Sequence, residues 1–100
     1  MKIPTRVKIG KTWIKIDTIK YLLVYDAMGA HCNALNYIQI STHSTRRKTS
    51  YRKEEIANTF WHELTHAILH DMKHKLETDE KFVTAFADRL TQAVNSARFD

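Results

Sequence analysis

The sequence has few of the residues that interrupt or cross-link a chain: two glycines, one proline and one cysteine among 100 residues. So little glycine and proline excludes collagen-like and flexible low-complexity architectures. The lone Cys32 cannot form an internal disulfide, so we expect a reducing compartment, the cytoplasm. No apolar run approaches the roughly 20 residues that a membrane span needs, and no apolar stretch typical of a secretory signal follows Met1.

Apolar residues make up 43% of the chain, which favours one globular domain over residues 1–100 rather than disorder or two smaller units. Sixteen Lys and Arg stand against 11 Asp and Glu, for a net charge of +5. This excess is compatible with an acidic partner such as nucleic acid. Because the positive charge is spread along the chain, we favour a protein or peptide partner instead.

The hydrophobic pattern changes near residue 50. Before it, residues 7–9, 14–16 and 37–40 alternate apolar with polar side chains, as strands with one buried face do. Residues 10–11 are then typical of a hairpin turn, and residues 28–29 and 33–36 are two further turn candidates. Residues 18–26 fit either a strand or a short helix. After residue 50 the spacing is helical, which predicts helices over residues 51–73 and 79–97.

Together these elements predict a small α+β domain in which an antiparallel sheet of three to four strands is covered by two helices. Each helix carries an apolar arc that we expect to be buried. In the first helix the arc consists of Ile56, Ala57, Phe60, Trp61, Leu64, Ala67, Ile68 and Met72. In the second it consists of Phe82, Val83, Phe86, Ala87, Leu90, Ala93, Val94 and Ala97.

Residues 62–66, His-Glu-Leu-Thr-His, form an HExxH motif within the first predicted helix. Residues four apart on a helix share a face, so His62 and His66 can bind one Zn²⁺ at ~2.0–2.1 Å each. Glu63 then projects beside the ion, where a carboxylate can act as general base towards a water whose pKa the zinc has lowered. The histidine face lies opposite the apolar arc, so we expect it to face solvent. The pattern predicts a zinc-dependent hydrolase.

A catalytic zinc site needs a third protein ligand. His70 continues the histidine series, but it lies eight residues, or about 12 Å, beyond His62 along the helix axis. Two ligand atoms of one zinc ion lie at most about 4 Å apart, since each bond is ~2.1 Å. We therefore expect His70 to have a supporting or surface role.

Glu80 is the preferred third ligand. It follows His66 after enough residues for the helix to end, for the chain to reverse and for a second helix to begin. On that second helix Glu80 falls at the edge of the apolar arc, where it faces inward. Glu77, Asp79 and His74 remain alternatives on spacing alone.

Residues 60–70 (FWHELTHAILH) and 80–90 (EKFVTAFADRL) resemble the ImmA/IrrE-type metallopeptidases, particularly their short phage-encoded relatives, which are similar to minimal gluzincins. The likeness extends to residues 29–40, a turn and a strand before the active helix. It implies a peptidase with His62 and His66 as zinc ligands, Glu63 as general base and Glu80 as third ligand. If strand 37–40 is a sheet edge, it offers a place for an extended substrate to pair.

Two other interpretations stay open. Residues 63–67 are also similar to SprT-like DNA-associated proteases, a resemblance that implies His74 as the third ligand. Alternatively, the chain is a basic, non-catalytic module that binds nucleic acid or protein and holds a structural metal.

Overall fold

The computed structural model describes residues 2–22 and 27–100, and it confirms an α+β fold with a helix-covered sheet. A four-stranded sheet packs against one helix, and a second helix packs against the first. The strands are β1 Arg6–Ile9, β2 Thr12–Ile19, β3 Gly29–Cys32 and β4 Tyr37–Ser41. The helices are α1 Lys53–Asp71 and α2 Glu80–Ser96, with 3₁₀ turns at Asn33–Leu35 and Lys75–Thr78.

The sheet is mixed rather than antiparallel as expected. Its strand order is β1-β2-β4-β3, and the central pair β2–β4 is parallel, whereas β1–β2 and β3–β4 are antiparallel. Side-chain alternation identifies the buried face of a strand but not the direction of its neighbour, so the sequence carried no signal for the parallel pair. The sequence does not predict β3, because the turn candidates at residues 28–29 and 33–36 leave only three residues between them, too few to show an alternation.

The hairpin between β1 and β2 turns at the predicted place. Gly10 adopts a φ of +58°, a left-handed conformation that a side chain would disfavour. Residues 18–26 were expected to form either a strand or a short helix. Residues 18–19 belong to β2, which ends at Ile19, and residues 23–26 lie outside the described residues.

The core lies between the sheet and α1. Isoleucines from β2 and β4 meet apolar side chains of α1, and each such buried side chain contributes about 1.5–3 kcal/mol. The buried members of this cluster are Ile14, Ile16, Ile38, Ile40, Phe60, Leu64 and Ala67.

Burial on the helices differs from the predicted arcs. α1 packs on the sheet with one side and on α2 and the turn Lys75–Thr78 with another, so His66 is only 4% exposed although it was expected to face solvent. Ile68 and Met72, expected in the core, are exposed. α2 packs on α1 rather than on the sheet, so only Val83, Ala87 and Thr91 of α2 are buried.

None of the helices in the described part of the chain is long and apolar enough to cross a membrane.

Candidate metal centre

Two histidines of α1 and the first residue of α2 converge on one point. His62 Nε2 lies 3.1 Å from Glu80 Oε2, and His66 Nε2 lies 2.7 Å from Glu80 Oε1. The potential ligand atoms of the three side chains lie within 4.8 Å of one another. Within residues 2–22 and 27–100 this is the only group of three or more such side chains close enough to hold one metal ion.

The start of α2 is fixed by local capping. The Asp79 carboxylate accepts a hydrogen bond from the backbone N–H of Phe82 at 3.0 Å, which satisfies a donor of the first helical turn. Asp79 therefore caps α2, and Thr78 ends the preceding 3₁₀ turn. The cap places Glu80 at the first helical position, beside the two histidines.

The turn before α2 also orients His66. His66 Nδ1 lies 2.7 Å from the carbonyl oxygen of Glu77. Because a carbonyl can only accept, Nδ1 carries the proton and the lone pair of the neutral ring lies on Nε2, the atom that faces Glu80. Such a bond from the second ring nitrogen is the usual way in which a protein orients a metal-binding histidine.

The donor set fits a zinc ion in chemistry and in size. Two donors that are each ~2.1 Å from a tetrahedral zinc ion lie about 3.4 Å apart. The separations of 3.1 and 2.7 Å, which involve different oxygens of Glu80, are shorter than this by about 0.3 and 0.7 Å, so Glu80 must move outward to admit the ion. The Glu80 side chain is 67% exposed and can make this movement, whereas that of His66 is 5% exposed and held in place.

Glu63 lies on the sheet side of this cluster and is 7% exposed. Its Oε2 lies 2.5 Å from Nδ1 of His31, a residue of β3. This hydrogen bond raises the pKa of His31 above its ordinary value of 6.5, and it outweighs the lowering caused by partial burial. The His31 ring also stacks on that of His66, with centroids 4.9 Å apart. The cluster therefore contains three imidazoles and two carboxylates.

His31 is the site residue that the sequence did not identify. Because His31 lies between two turn candidates, no alternation was available to indicate that His31 and Ile38, its partner on β4, point towards α1. The contact depends on Gly29, since a Cβ at this position would lie 2.5 Å from Thr59 Cγ2 and 3.1 Å from Glu63 Cγ. The missing side chain lets β3 approach α1 closely enough for His31 to reach Glu63.

The other proposed ligands lie outside the cluster. The Glu77 carboxylate contacts His70 Nδ1 at 2.7 Å, and the Asp79 carboxylate caps α2. His74 Nδ1 accepts from the backbone N–H of Leu76 at 3.1 Å. All of these side chains are engaged in shaping the connection between α1 and α2.

A groove leads away from the cluster. It has a volume of about 240 Å³ and is lined by Met28, Gly29, Asn58, Thr59, His62 and Glu63. Met28, Asn58 and Thr59 also line a larger open groove of about 640 Å³ between α1 and α2. An extended chain that lay in these grooves would pass directly beside Glu63.

The edge of the sheet that borders this groove is β3, not β4. β4 lies between β2 and β3, so strand 37–40 is not a sheet edge, and the condition under which it could pair with a substrate is not met. The backbone N–H of Ser41 donates to the carbonyl of Met28 at 2.9 Å. Met28 and Ser41 are therefore a hydrogen-bonded pair. Because hydrogen-bonded and non-hydrogen-bonded pairs alternate along an antiparallel ladder, Gly29 and His31 belong to non-hydrogen-bonded pairs, and their backbone N–H and C=O groups point away from β4.

Comparison of the chain with protein-family models, with curated proteins and with solved structures found no match.

Proposed function

We propose that the chain is a zinc-dependent endopeptidase of the ImmA/IrrE type that acts on protein or peptide substrates. The observation that carries this proposal is the convergence of His62, His66 and Glu80 beside the buried carboxylate of Glu63. A catalytic zinc site has three protein ligands and one open position, whereas a structural site has four protein ligands. Three donors with an adjacent carboxylate therefore favour catalysis over a purely structural metal.

A bound Zn²⁺ would polarise the scissile carbonyl and lower the pKa of water towards 7. Glu63 accepts the proton of the attacking water and passes it to the leaving amine. The contact with His31 holds Glu63 through Oε2, which leaves Oε1 as the proton acceptor. Because one of the three ligands is the carboxylate of Glu80, a zinc site with two histidines and this carboxylate is less positive than a site with three histidines would be.

The substrate pairs as an additional strand along β3. The outward-facing backbone groups of Gly29 and His31 supply the main-chain hydrogen bonds that such pairing uses. Because Gly29 packs against Glu63, a peptide bond at this edge lies next to the proposed general base. The single cysteine supports a reducing compartment, and we propose the cytoplasm.

The proposal is tested by cleavage of a mixture of peptides of known sequence, with products identified by mass spectrometry. We expect the zinc-loaded protein to cut internal peptide bonds. Glu63→Gln should retain zinc and lower the rate by about 10²–10⁴-fold, the usual contribution of a positioned acid–base group. Asp71→Asn makes the same carboxylate-to-amide change at the exposed end of α1, outside both grooves, and should cleave at the parent rate.

A non-catalytic module with a structural metal predicts a different outcome. In that case zinc binds with the expected stoichiometry, and neither the parent nor the Glu63→Gln variant produces fragments. Equal cleavage by the parent and by Glu63→Gln would also contradict the proposal, since it would show that the carboxylate takes no part in the reaction.

A further inference from the structure

The face of the sheet opposite α1 is basic and aromatic. We call it the outer face and define it by five residues whose side chains point away from the core: Arg6, Lys8, Trp13, Lys15 and Tyr37. The register aligns Arg6 with Lys15 and Lys15 with Tyr37 across three strands, and it pairs Lys8 with Trp13 in the next row. In the described part of the chain neither helix covers this face, since α1 packs on the other side and α2 packs on α1.

Trp13 lies at the hairpin end of the outer face, opposite Lys8, and is 52% exposed. The Arg6 guanidinium lies 4.6 Å from the Trp13 ring centroid, and Lys8 Nζ lies 5.9 Å from it. Core packing does not explain this arrangement, because the ring lies on the side of β2 away from buried Ile14 and Ile16.

The charge of the outer face is predominantly positive. The Lys15 side chain is 74% exposed and lies 3.6 Å from Asp17, which neutralises part of its charge. The cations of Arg6 and Lys8 instead contact the Trp13 ring. A polyanion that carries flat apolar groups would complement both the cations and the exposed Trp13 ring of the outer face. A purely ionic partner would match only the cations, and a purely apolar partner would match only the ring.

We propose that the outer face binds single-stranded nucleic acid. Bases stack on the exposed part of Trp13 and on the half-buried ring of Tyr37, while phosphates pair with the cations of Arg6, Lys8 and Lys15. Exposed aromatic rings on an open sheet surface, flanked by cations, are a common physical solution for binding unpaired bases. The outer face lies across the sheet from the metal cluster, so the two sites can be occupied together.

The test is a fluorescence anisotropy titration of the full chain with a labelled 15-nucleotide oligo-dT at several salt concentrations. If the three cations each contact one phosphate, the logarithm of the association constant should fall with the logarithm of salt concentration with a slope of about −2. Lys15→Gln should reduce the magnitude of this slope by about 0.7. The control Lys53→Gln removes the same charge from the start of α1 and should leave the slope unchanged.

The aromatic contribution is tested with two substitutions at one position. Trp13→Ala should weaken oligo-dT binding roughly 5- to 150-fold, the range expected when one base loses the aromatic side chain on which it stacks. Trp13→Phe keeps an aromatic surface and should recover much of the affinity. Circular dichroism and zinc binding by both variants would show that the fold is intact, so a loss of affinity can be assigned to the outer face.

Three results would overturn the proposal. The first is no binding of oligo-dT at 50 mM salt. The second is equal binding of heparin and oligo-dT with no effect of Trp13→Ala, which would show ionic attraction alone. The third is binding of vesicles that contain anionic lipid in preference to oligo-dT, which would assign the outer face to a membrane surface. Failure here would leave the peptidase proposal unaffected, because that proposal depends on the opposite side of the sheet.

Discussion

The close approach of β3 to α1 makes Gly29 the most informative position for a stability measurement. A Cβ on Gly29 would lie 2.5 Å from the Cγ2 methyl of Thr59, which is 7% exposed. The φ of Gly29 lies outside the left-handed region, so any penalty of Gly29→Ala arises from lack of space and not from the backbone. Overpacking of this kind costs about 1–3 kcal/mol.

Thr59→Ser provides a matched second change. It removes the Cγ2 methyl and keeps the hydroxyl, which donates to the carbonyl of Glu55 at 2.8 Å. Loss of one buried methyl group should cost about 0.5–1.5 kcal/mol, by analogy with Ile→Val. In the double variant the added Cβ of Gly29→Ala occupies the vacated space. We therefore expect its total cost to be about 1 kcal/mol less than the sum of the single costs.

The assay is urea unfolding of the parent, the two single variants and the double variant, all with a chelator present so that metal binding does not contribute. In the double variant, Thr59→Ser should relieve only part of the cost of Gly29→Ala, because the added Cβ would still lie 3.1 Å from Glu63 Cγ. Costs that simply add would refute the reasoning, since they would show that Gly29 and Thr59 do not meet as described.

The other predictions concern charge and metal. Arg52 lowers the pKa of Glu55 below its ordinary value of 4.5 through its side-chain hydrogen bond, so the stabilisation is present above pH 4.5 and lost as pH falls through the lowered pKa. Glu55→Gln should thus lower the free energy of unfolding by about 0.5 kcal/mol or less at pH 7. In unfolding curves measured at acid pH, the difference in this free energy between the variant and the parent should become smaller. A difference that does not change with pH would contradict this prediction. Free zinc at 100 times its dissociation constant should raise the free energy of unfolding by about 2.7 kcal/mol, and an unchanged midpoint would count against a site in the folded state. His70→Ala removes a contact with Glu77 from a side chain that is 51% exposed. We expect chelator titration to show little change in zinc affinity, and loss of the metal would make His70 part of the centre.

The sequence was sufficient for the elements with strong periodicity. The hairpin of β1 and β2 and both helices lie where the apolar spacing predicted, because each buries a continuous stripe or alternating face. The HExxH spacing and the reversal before α2 likewise anticipated that Glu80 would lie near His62 and His66. The shared face of His62 and His66 needs only helical geometry, whereas the choice of Glu80 over Glu77, Asp79 and His74 depends on how α2 packs against α1.

The parts that the sequence did not indicate depend on contacts between distant elements. β3 consists of Gly29, Ala30, His31 and Cys32, which have little intrinsic preference for a strand and pair only because β4 is available. The burial of His66 likewise follows from the packing of the Lys75–Thr78 turn against α1, which a helical wheel does not include.

The exposed apolar residues of α2 have the same kind of explanation. An apolar arc predicts burial only if a partner surface covers its full width. α2 packs against α1 and the preceding turn, which is enough to bury Val83 and Ala87 but leaves Phe86 47% exposed.

The central claim is that His62, His66 and Glu80 together hold the zinc ion, and a competition titration with a chromophoric zinc chelator tests it most directly. Glu80→Gln should weaken zinc binding by more than the 10- to 100-fold typical of lost supporting contacts, since it removes a ligand. His74→Ala should leave the affinity unchanged, because His74 only caps the turn before α2. If His74→Ala loses the metal and Glu80→Gln keeps it, the account of this centre is wrong.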